Sequence, residues 1–292
     1  MTEHFLSRSG AIEPLLRSTP YRVVARLGQG AMSEVYTVEH EDLGRLFALK
    51  VLHARYGDDP QALDRLRLEA QAAARLTHPN IVEVTDFWIA ADGTPCLVME
   101  HLYGNTLAVE LERRSRLTPG EAVYHEVELL SALGAAHALG IVHRDIKPEN
   151  LFLHQAAGRK ALKVLDFGLA RVLPRAQPDA PAPLVVPTDT GVVVGSPRFL
   201  SPEAARGEHV DHRADLYAAG LVLYLMLTGR GPFDAAVSSR AAPAPLGRSL
   251  RAPVPPELEA VVFRALEPDP DARYQTAPEF ARALAPFAPL IG

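Results

Sequence analysis

From Tyr21 to about Leu102 the chain alternates β-branched or aromatic runs with turn residues: YRVVARL, EVYTVEH, RLFALKVL, IVEVTDFWI and PCLVMEHL. Runs of this length, mostly bounded by Gly, Pro, Asp or Asn, predict strands. One helix interrupts them. Leu63, Leu66, Ala70 and Ala73 recur at helical spacing within Pro60–Arg75, and His78-Pro79-Asn80 ends it. Beyond Leu102 the period turns helical. Thr118-Pro119-Gly120-Glu121 reads as a capping box with proline at the first helical position. Val123, Val127, Leu130 and Leu133 supply its buried stripe, and Gly140 can close the helix in a left-handed turn. Thr276-Ala277-Pro278-Glu279 repeats the cap. Residues 172–190 and 235–256 are rich in Pro and Ala without a period, and read as loops. Residues 1–20 show no period either and read as an N-terminal extension. The pattern predicts a small β-rich lobe with one main helix, about 21–100, and a larger helical lobe, about 101–287. A cleft between two such lobes is a preferred place for a ligand.

Composition narrows the class. The chain has 292 residues, 48% apolar and 22% charged, which excludes disorder over most of its length. Thirty basic against thirty-five acidic residues leave a net charge of −5, so no basic field covers the whole protein and nucleic acid is not expected as a partner. The one cysteine, Cys96, excludes an intramolecular disulfide and a multi-cysteine zinc cluster, and fits a reducing, cytoplasmic setting. The opening MTEHFLSRSGAIEP lacks the apolar core of a secretory signal. The most apolar stretch, Leu216 to Leu227, rises only about 18 Å as a helix against the ~30 Å of a bilayer, so it is expected to be a central core helix and no membrane span is expected.

Candidate chemistry lies in two places. Leu27-Gly28-Gln29-Gly30-Ala31-Met32-Ser33 holds two of the three glycines of G-x-G-x-x-G. A dinucleotide fingerprint must lead into a helix, whereas here a strand follows from Val35. The glycines therefore sit at a hairpin tip, where backbone N–H groups could cover phosphates. On the next strand Ala48 and Lys50 project from one face, suiting a flat base beside a cation that grips phosphate. Glu69, on the following helix, could hold the Lys50 ammonium.

The second place is the charge-dense run His143-Arg144-Asp145-Ile146-Lys147-Pro148-Glu149-Asn150. A short strand, a turn around Gly158 and a second strand follow, ending in Asp166-Phe167-Gly168. Antiparallel pairing would make Asn150 and Asp166 neighbours, with Asp145 just upstream. A carboxylate and an amide oxygen together suit Mg2+, a hard ion that shares its remaining ligands with phosphate and water. Asp145 can then accept a hydroxyl proton, and Lys147 can neutralise a phosphoryl group in transit. The histidines do not form a zinc-protease pattern, since His125-Glu126 has Leu129 where the second histidine belongs.

These residues carry a resemblance. Phe47-Ala48-Leu49-Lys50, His143 to Asn150, Asp166-Phe167-Gly168 and Ser201-Pro202-Glu203 follow in the order of the protein-kinase signature set. The chain resembles a Ser/Thr protein kinase of the eukaryotic-like kind found in bacteria, with motifs from Gly28 to Arg273. The resemblance implies an α+β, bilobal protein-kinase-like fold and ATP with Mg2+ as cofactors. It implies that Leu27, Gly28, Gly30 and Val35 cover ATP, and that Lys50 reaches the α- and β-phosphates while paired with Glu69. It places adenine between Val35 and Ala48 above and Phe152 below. Met99 takes the gatekeeper position, and the backbone of Glu100 and Leu102 that of the hinge. Asp145 would be the base, aided by Lys147, with Asn150 and Asp166 on the metal. Asp215 would fix the catalytic loop and Arg273 would pair with Glu203, both structural roles.

Lys147, two residues after Asp145, implies serine and threonine in protein substrates. Arg144 implies control by activation-loop phosphorylation, with Thr188 and Thr190 as the sites, Gly195-Ser196-Pro197 as the substrate-receiving loop, and transient self-association for autophosphorylation. Ser33 departs from the third glycine, and the proline-broken segment from Phe233 to Pro253 departs from the family's helix G. An alternative of another class is a pseudokinase or ATP-binding scaffold, which usually lacks the lysine, the base or the metal aspartate; all are present here. A small-molecule phosphotransferase is opposed by Ser201-Pro202-Glu203, Asp215 and Arg273.

Overall fold

The computed structural model describes residues 12–30, 33–53, 60–156, 158–167, 199–232, 246 and 254–288. They fall into two units, one running to Thr77 and including Val82–Tyr103, the other holding His78–Ile81 and the described residues from Gly104 onward.

The first unit is an antiparallel sheet in the order β1-β2-β3-β5-β4. Its strands are β1 (Tyr21–Gln29), β2 (Ser33–His40), β3 (Arg45–Leu52), β4 (Val84–Ile89) and β5 (Pro95–Glu100). The helix α1 (Pro60–Ala74) packs beside β4. Strand alternation sorts the side chains onto two faces. Tyr36 lies opposite Leu49, Val38 opposite Phe47 and Leu49 opposite Val98, and with Cys96 these form one core. Burial, and after it Asp92, pushes the Cys96 thiol up to about 12, which leaves it inert at neutral pH.

No period marks residues 12–20 in the sequence, yet Glu13–Leu16 form a 3-10 turn, and Ile12 and Leu16 are buried in this core. A single turn is too short to show a period. It is fastened by the Trp88 indole N–H, which donates to the Leu15 carbonyl at 3.1 Å, while Trp88 stacks on Tyr21.

The second unit contains a three-stranded antiparallel sheet, β6 (Gly104–Thr106), β7 (Leu151–Ala156) and β8 (Arg159–Val164), in that order. Its helices are α2 (Leu107–Arg114), α3 (Pro119–Ala138), α4 (Pro202–Ala205), α5 (Arg213–Thr228), α6 (Pro256–Ala265) and α7 (Ala277–Leu284). The expected apolar helix is α5, buried on nearly every side as a helix without a polar face must be. It approaches α6 closely at Gly220, where an added Cβ would lie 2.8 Å from the Ala265 Cβ. No described helix is long and apolar enough to cross a membrane.

The two caps differ. Thr118 and Glu121 form the full reciprocal box at the start of α3. At α7 only half closes: the Thr276 hydroxyl accepts from the Glu279 N–H, but the Glu279 carboxylate takes the Gln275 N–H at 2.8 Å and Arg264 at 2.6 Å. Most of the two Pro/Ala-rich stretches lies outside the described residues.

α3 departs from its predicted stripe. Val123, Leu130 and Leu133 are buried, but Val127 is only half-buried, and Glu126 is fully buried. The helix packs against α5, α7 and β8, so its covered surface is wider than one stripe. Among the described residues neither Glu126 oxygen has a hydrogen-bond partner, and burial drives its pKa well above the usual carboxylate range. The folded state thus retains a proton that the unfolded chain releases near pH 4.3, so stability falls as pH rises from there through the folded-state pKa. Glu126→Leu is expected to raise the thermal midpoint more at pH 8 than at pH 5, in line with about 1–3 kcal/mol for an unsatisfied buried group. An equal change at both pH values would contradict this.

Candidate active site

In the first unit, strand register gathers the predicted nucleotide residues on the sheet face opposite the core. Gly28 pairs with Val35, Val35 with Lys50, and Lys50 with Leu97. Ala48 lies between Thr37 and Met99. Ala48 and Met99 are buried, Val35 and Lys50 half-buried, and Leu27 is 55% exposed. The hairpin tip is closed by the Gly30 N–H donating to the Ser33 carbonyl at 2.8 Å. A Cβ added to Gly28 would meet nothing within 4 Å, so none of its described neighbours requires that glycine. Glu100 ends β5, where its N–H donates to the Glu83 carbonyl and its carboxylate accepts the Glu83 N–H. Leu102 follows, half-buried. Glu69 lies on α1, but its side chain, and with it the expected Lys50–Glu69 pair, is outside the described residues.

In the second unit the loop between α3 and β7 is held by a buried carboxylate. Asp215, in the first turn of α5 and 1% exposed, accepts the His143 N–H at 2.8 Å and the Arg144 N–H at 2.7 Å. These two bonds fix consecutive peptides, and Arg144, directly after the second, adopts a left-handed φ of 67°. The His143 ring packs edge-on against Phe167, and its Nε2–H donates to the Leu165 carbonyl at 2.8 Å.

Downstream, Asp145 gathers the polar groups. The Lys147 ammonium donates to both its oxygens, at 2.9 and 2.7 Å. The Asn150 amide donates to its carbonyl at 2.7 Å and its carboxylate at 2.8 Å. The predicted hairpin is present: Leu151 pairs with Val164, and the Leu165 N–H donates to the Asn150 carbonyl at 2.9 Å, so Asp166 emerges beside Asn150. Asp166 is left-handed, with φ 60°. Phe152, half-buried on β7, stands between Thr106 and Lys163. Gly168, Thr188, Thr190 and Gly195-Ser196-Pro197 lie outside the described residues.

Farther along, Arg273 is wholly buried and binds Glu203 through two parallel bonds of 2.8 and 2.7 Å, with its guanidinium over the Tyr217 ring. Burial would raise the Glu203 pKa, but the hydrogen bonds from Arg273 hold it below the usual range.

Two residues of this site are absent from the sequence prediction of functional positions. The His137 Nε2–H donates to Asp215 at 2.8 Å. Its only signal is a histidine in the last turn of an apolar helix, just before the charged loop. Asn80 donates its amide to the Leu162 carbonyl at 2.9 Å and accepts the Val164 N–H at 2.8 Å, bracing the strand that leads to Asp166.

The family model for the protein kinase domain matches residues 21–279. The chain belongs to the protein kinase family. Among relatives, it is 38% identical over 273 residues to the serine/threonine-protein kinase pkn3 of Myxococcus xanthus, covering 90% of this chain and 49% of the relative. It is 40% identical over 291 residues to the serine/threonine-protein kinase PknB of Mycolicibacterium smegmatis, covering 94% and 45%. Across the first relatives the chain spans a third to a half of their length. Among solved structures, the kinase domain of Mycobacterium tuberculosis PknI superposes with a TM-score of 0.71 at 31% identity, covering 92% of this chain and 96% of that one.

A kinase domain whose loop rests on one buried carboxylate depends on that charge. Asp215→Asn keeps the shape but replaces an acceptor oxygen with a donor facing N–H groups. It is expected to lower the unfolding free energy by about 3 kcal/mol, measured by urea denaturation. A loss under about 1 kcal/mol would show that the loop is held by other means.

Proposed function

We propose that the chain is an active serine/threonine protein kinase, transferring the γ-phosphoryl group of Mg2+·ATP to hydroxyls of protein substrates. The observation that carries this is the cluster in which Asp145 holds Lys147 and Asn150 while the Asn150 carbonyl holds the chain just before Asp166.

The donor set fits the cofactor. With its amide nitrogen turned onto Asp145, Asn150 has its oxygen left for a cation, and the Asp166 carboxylate completes a pair of hard oxygen ligands. When bound, Mg2+·ATP supplies the transferable group and neutralises charge on its phosphates. The residues of this chain do the rest. The first unit's sheet face, with Leu27, Gly28, Gly30, Val35, Ala48 and Met99, takes the base and phosphates, and Lys50, supported by Glu69, holds the phosphate charge. Glu100 and Leu102 offer backbone groups to adenine, and Phe152 an apolar surface. Asp145, its side chain 41% exposed, is open to an incoming hydroxyl and accepts its proton. Lys147, already on Asp145, brings positive charge to the transferring oxygens. Its place two residues after the base supports serine and threonine as acceptors.

The same reading assigns control to Thr188 and Thr190. Each phosphate adds about −1.5 to −2 charge, which Arg144 is placed in sequence to receive, and autophosphorylation in trans requires transient self-association. A Thr188→Ala, Thr190→Ala double variant is expected to lose most of its rate on a generic basic protein; the wild-type rate would remove this control.

Asp166→Asn tests the catalytic assignment. Asparagine tolerates the left-handed backbone that Asp166 adopts, so the change adds little strain while removing the carboxylate. Transfer of labelled phosphate from Mg2+·ATP is expected to vanish with the thermal midpoint preserved. Retained transfer, or no transfer by the wild-type chain, would refute the assignment.

A further inference from the structure

Among the described residues, the strand that leads to Asp166 has a neighbouring strand on one side only, since β8 is the outer strand of β6-β7-β8. Its other edge is closed by side chains and by the segment at Asn80. The Leu162 N–H donates to Glu128 Oε2, from α3, at 2.9 Å. The Leu162 carbonyl accepts the Asn80 amide at 2.9 Å, and the Val164 N–H donates to the Asn80 carbonyl at 2.8 Å. Beyond the strand, Leu165 is held on both sides, by the Asn150 carbonyl and the His143 ring. Buried backbone groups need partners of this kind, and here the partners also set where the strand lies.

Glu128 is built for its place. Its side chain is 14% exposed, and the same Oε2 accepts the His125 Nδ1–H at 3.0 Å. Tyr124 also interacts with this carboxylate, which together with the larger effect of burial raises the tyrosine pKa. Leu162 is fully buried, so its N–H has no solvent to turn to if Glu128 withdraws. The strand must then shift to find a partner or carry an unsatisfied donor. Asp166 lies four residues on, about 13 Å along an extended chain, so a shift at Leu162 moves the carboxylate.

We propose that Glu128 is a positioning residue for phosphoryl transfer: through the Leu162 N–H it sets β8 against α3 and so places Asp166 for the metal. This rests on the kinase reading above. What matters is the reach of an acceptor oxygen, and the negative charge is incidental.

Two variants separate reach from charge. Glu128→Asp keeps the charge but is one methylene too short; Glu128→Gln loses the charge but keeps a carbonyl oxygen at the same reach. Three quantities are measured: amide hydrogen exchange at Leu162, the half-saturating Mg2+ concentration in transfer to a basic protein, and the affinity for Mn2+·ATP by paramagnetic titration. Glu128→Asp is expected to speed Leu162 exchange, raise half-saturating Mg2+ about ten-fold, and weaken Mn2+·ATP binding to a similar degree. Glu128→Gln is expected to match the wild type in all three.

The proposal is overturned if Leu162 exchange does not rise in the short variant, or rises while metal dependence stays unchanged. It is also overturned if Glu128→Gln is impaired as much as Glu128→Asp, since charge would then be the determinant. Should the short variant fail to fold, Glu128→Asn takes its place with the same outcomes. If the wild-type chain transfers no phosphate, the kinase reading has failed by itself. Mn2+·ATP affinity then decides the positioning role: weaker binding in the short variant alone sustains it, and equal binding overturns it.

Discussion

The Asp215 carboxylate is the interaction on which the second unit's polar loop depends. A carboxylate at 1% exposure is tolerated only when hydrogen bonds replace its lost hydration. Three N–H groups do so, from His137, His143 and Arg144. Two of them belong to consecutive backbone amides, which defines the orientation of both peptides. Arg144 then takes a left-handed backbone, a conformation costing on the order of 1–3 kcal/mol in a non-glycine residue. The charge-assisted bonds to Asp215 offset that cost and leave Asp145 at the start of the polar cluster. The 3-10 turn Pro148–Asn150 follows, delivering Asn150 back onto Asp145.

A second fixed point is the end of β8. The hairpin aligns Leu151 with Val164, and the link from Leu165 to the Asn150 carbonyl extends that alignment by one residue. Asp166 then turns out of the strand direction with φ 60°. The loop and the strand end thus share Asn150: its carbonyl serves Leu165 and its amide serves Asp145. His143 joins them again, with its backbone N–H on Asp215 and its ring on Leu165. Such doubly engaged residues make the two segments one network, in which losing one contact is felt at the other.

What could be read from sequence was whatever had a short-range cause. Strand alternation, the helical spacing of Leu66, Ala70 and Ala73, and the Thr118 box each depend on neighbours within a few residues. The Leu151–Val164 hairpin was legible because one turn at Gly158 connects it. The burial of Ile12 and Leu16 was not, since one turn carries no period, and the docking partner Trp88 lies 73 residues from Leu15. The same limit hid His137, which meets Asp215 across 78 residues, and Asn80, which meets Leu162 across 82. A half-closed cap at Thr276 followed from competition: Glu279 finds Gln275 and Arg264 instead of the cap's own N–H.

α3 shows how one element can carry both a cost and a reference. Glu126 and Glu128 are two residues apart, about 200° around the helix axis, so they point to opposite sides. One is buried with no hydrogen-bond partner among the described residues, the other accepts from Leu162 and His125. Nine residues after Glu128, about 13 Å along the same helix, His137 reaches Asp215. A helix has a fixed rise, so the strand edge bound at Glu128 and the loop anchor bound at His137 are measured against one rigid spacing. The distance between the start of the polar loop and the strand carrying Asp166 is therefore set by α3 as well as by the hairpin. This gives a physical reason for a stable, capped helix at this position, and for the polar side chains of Glu128 and His137 among its buried residues.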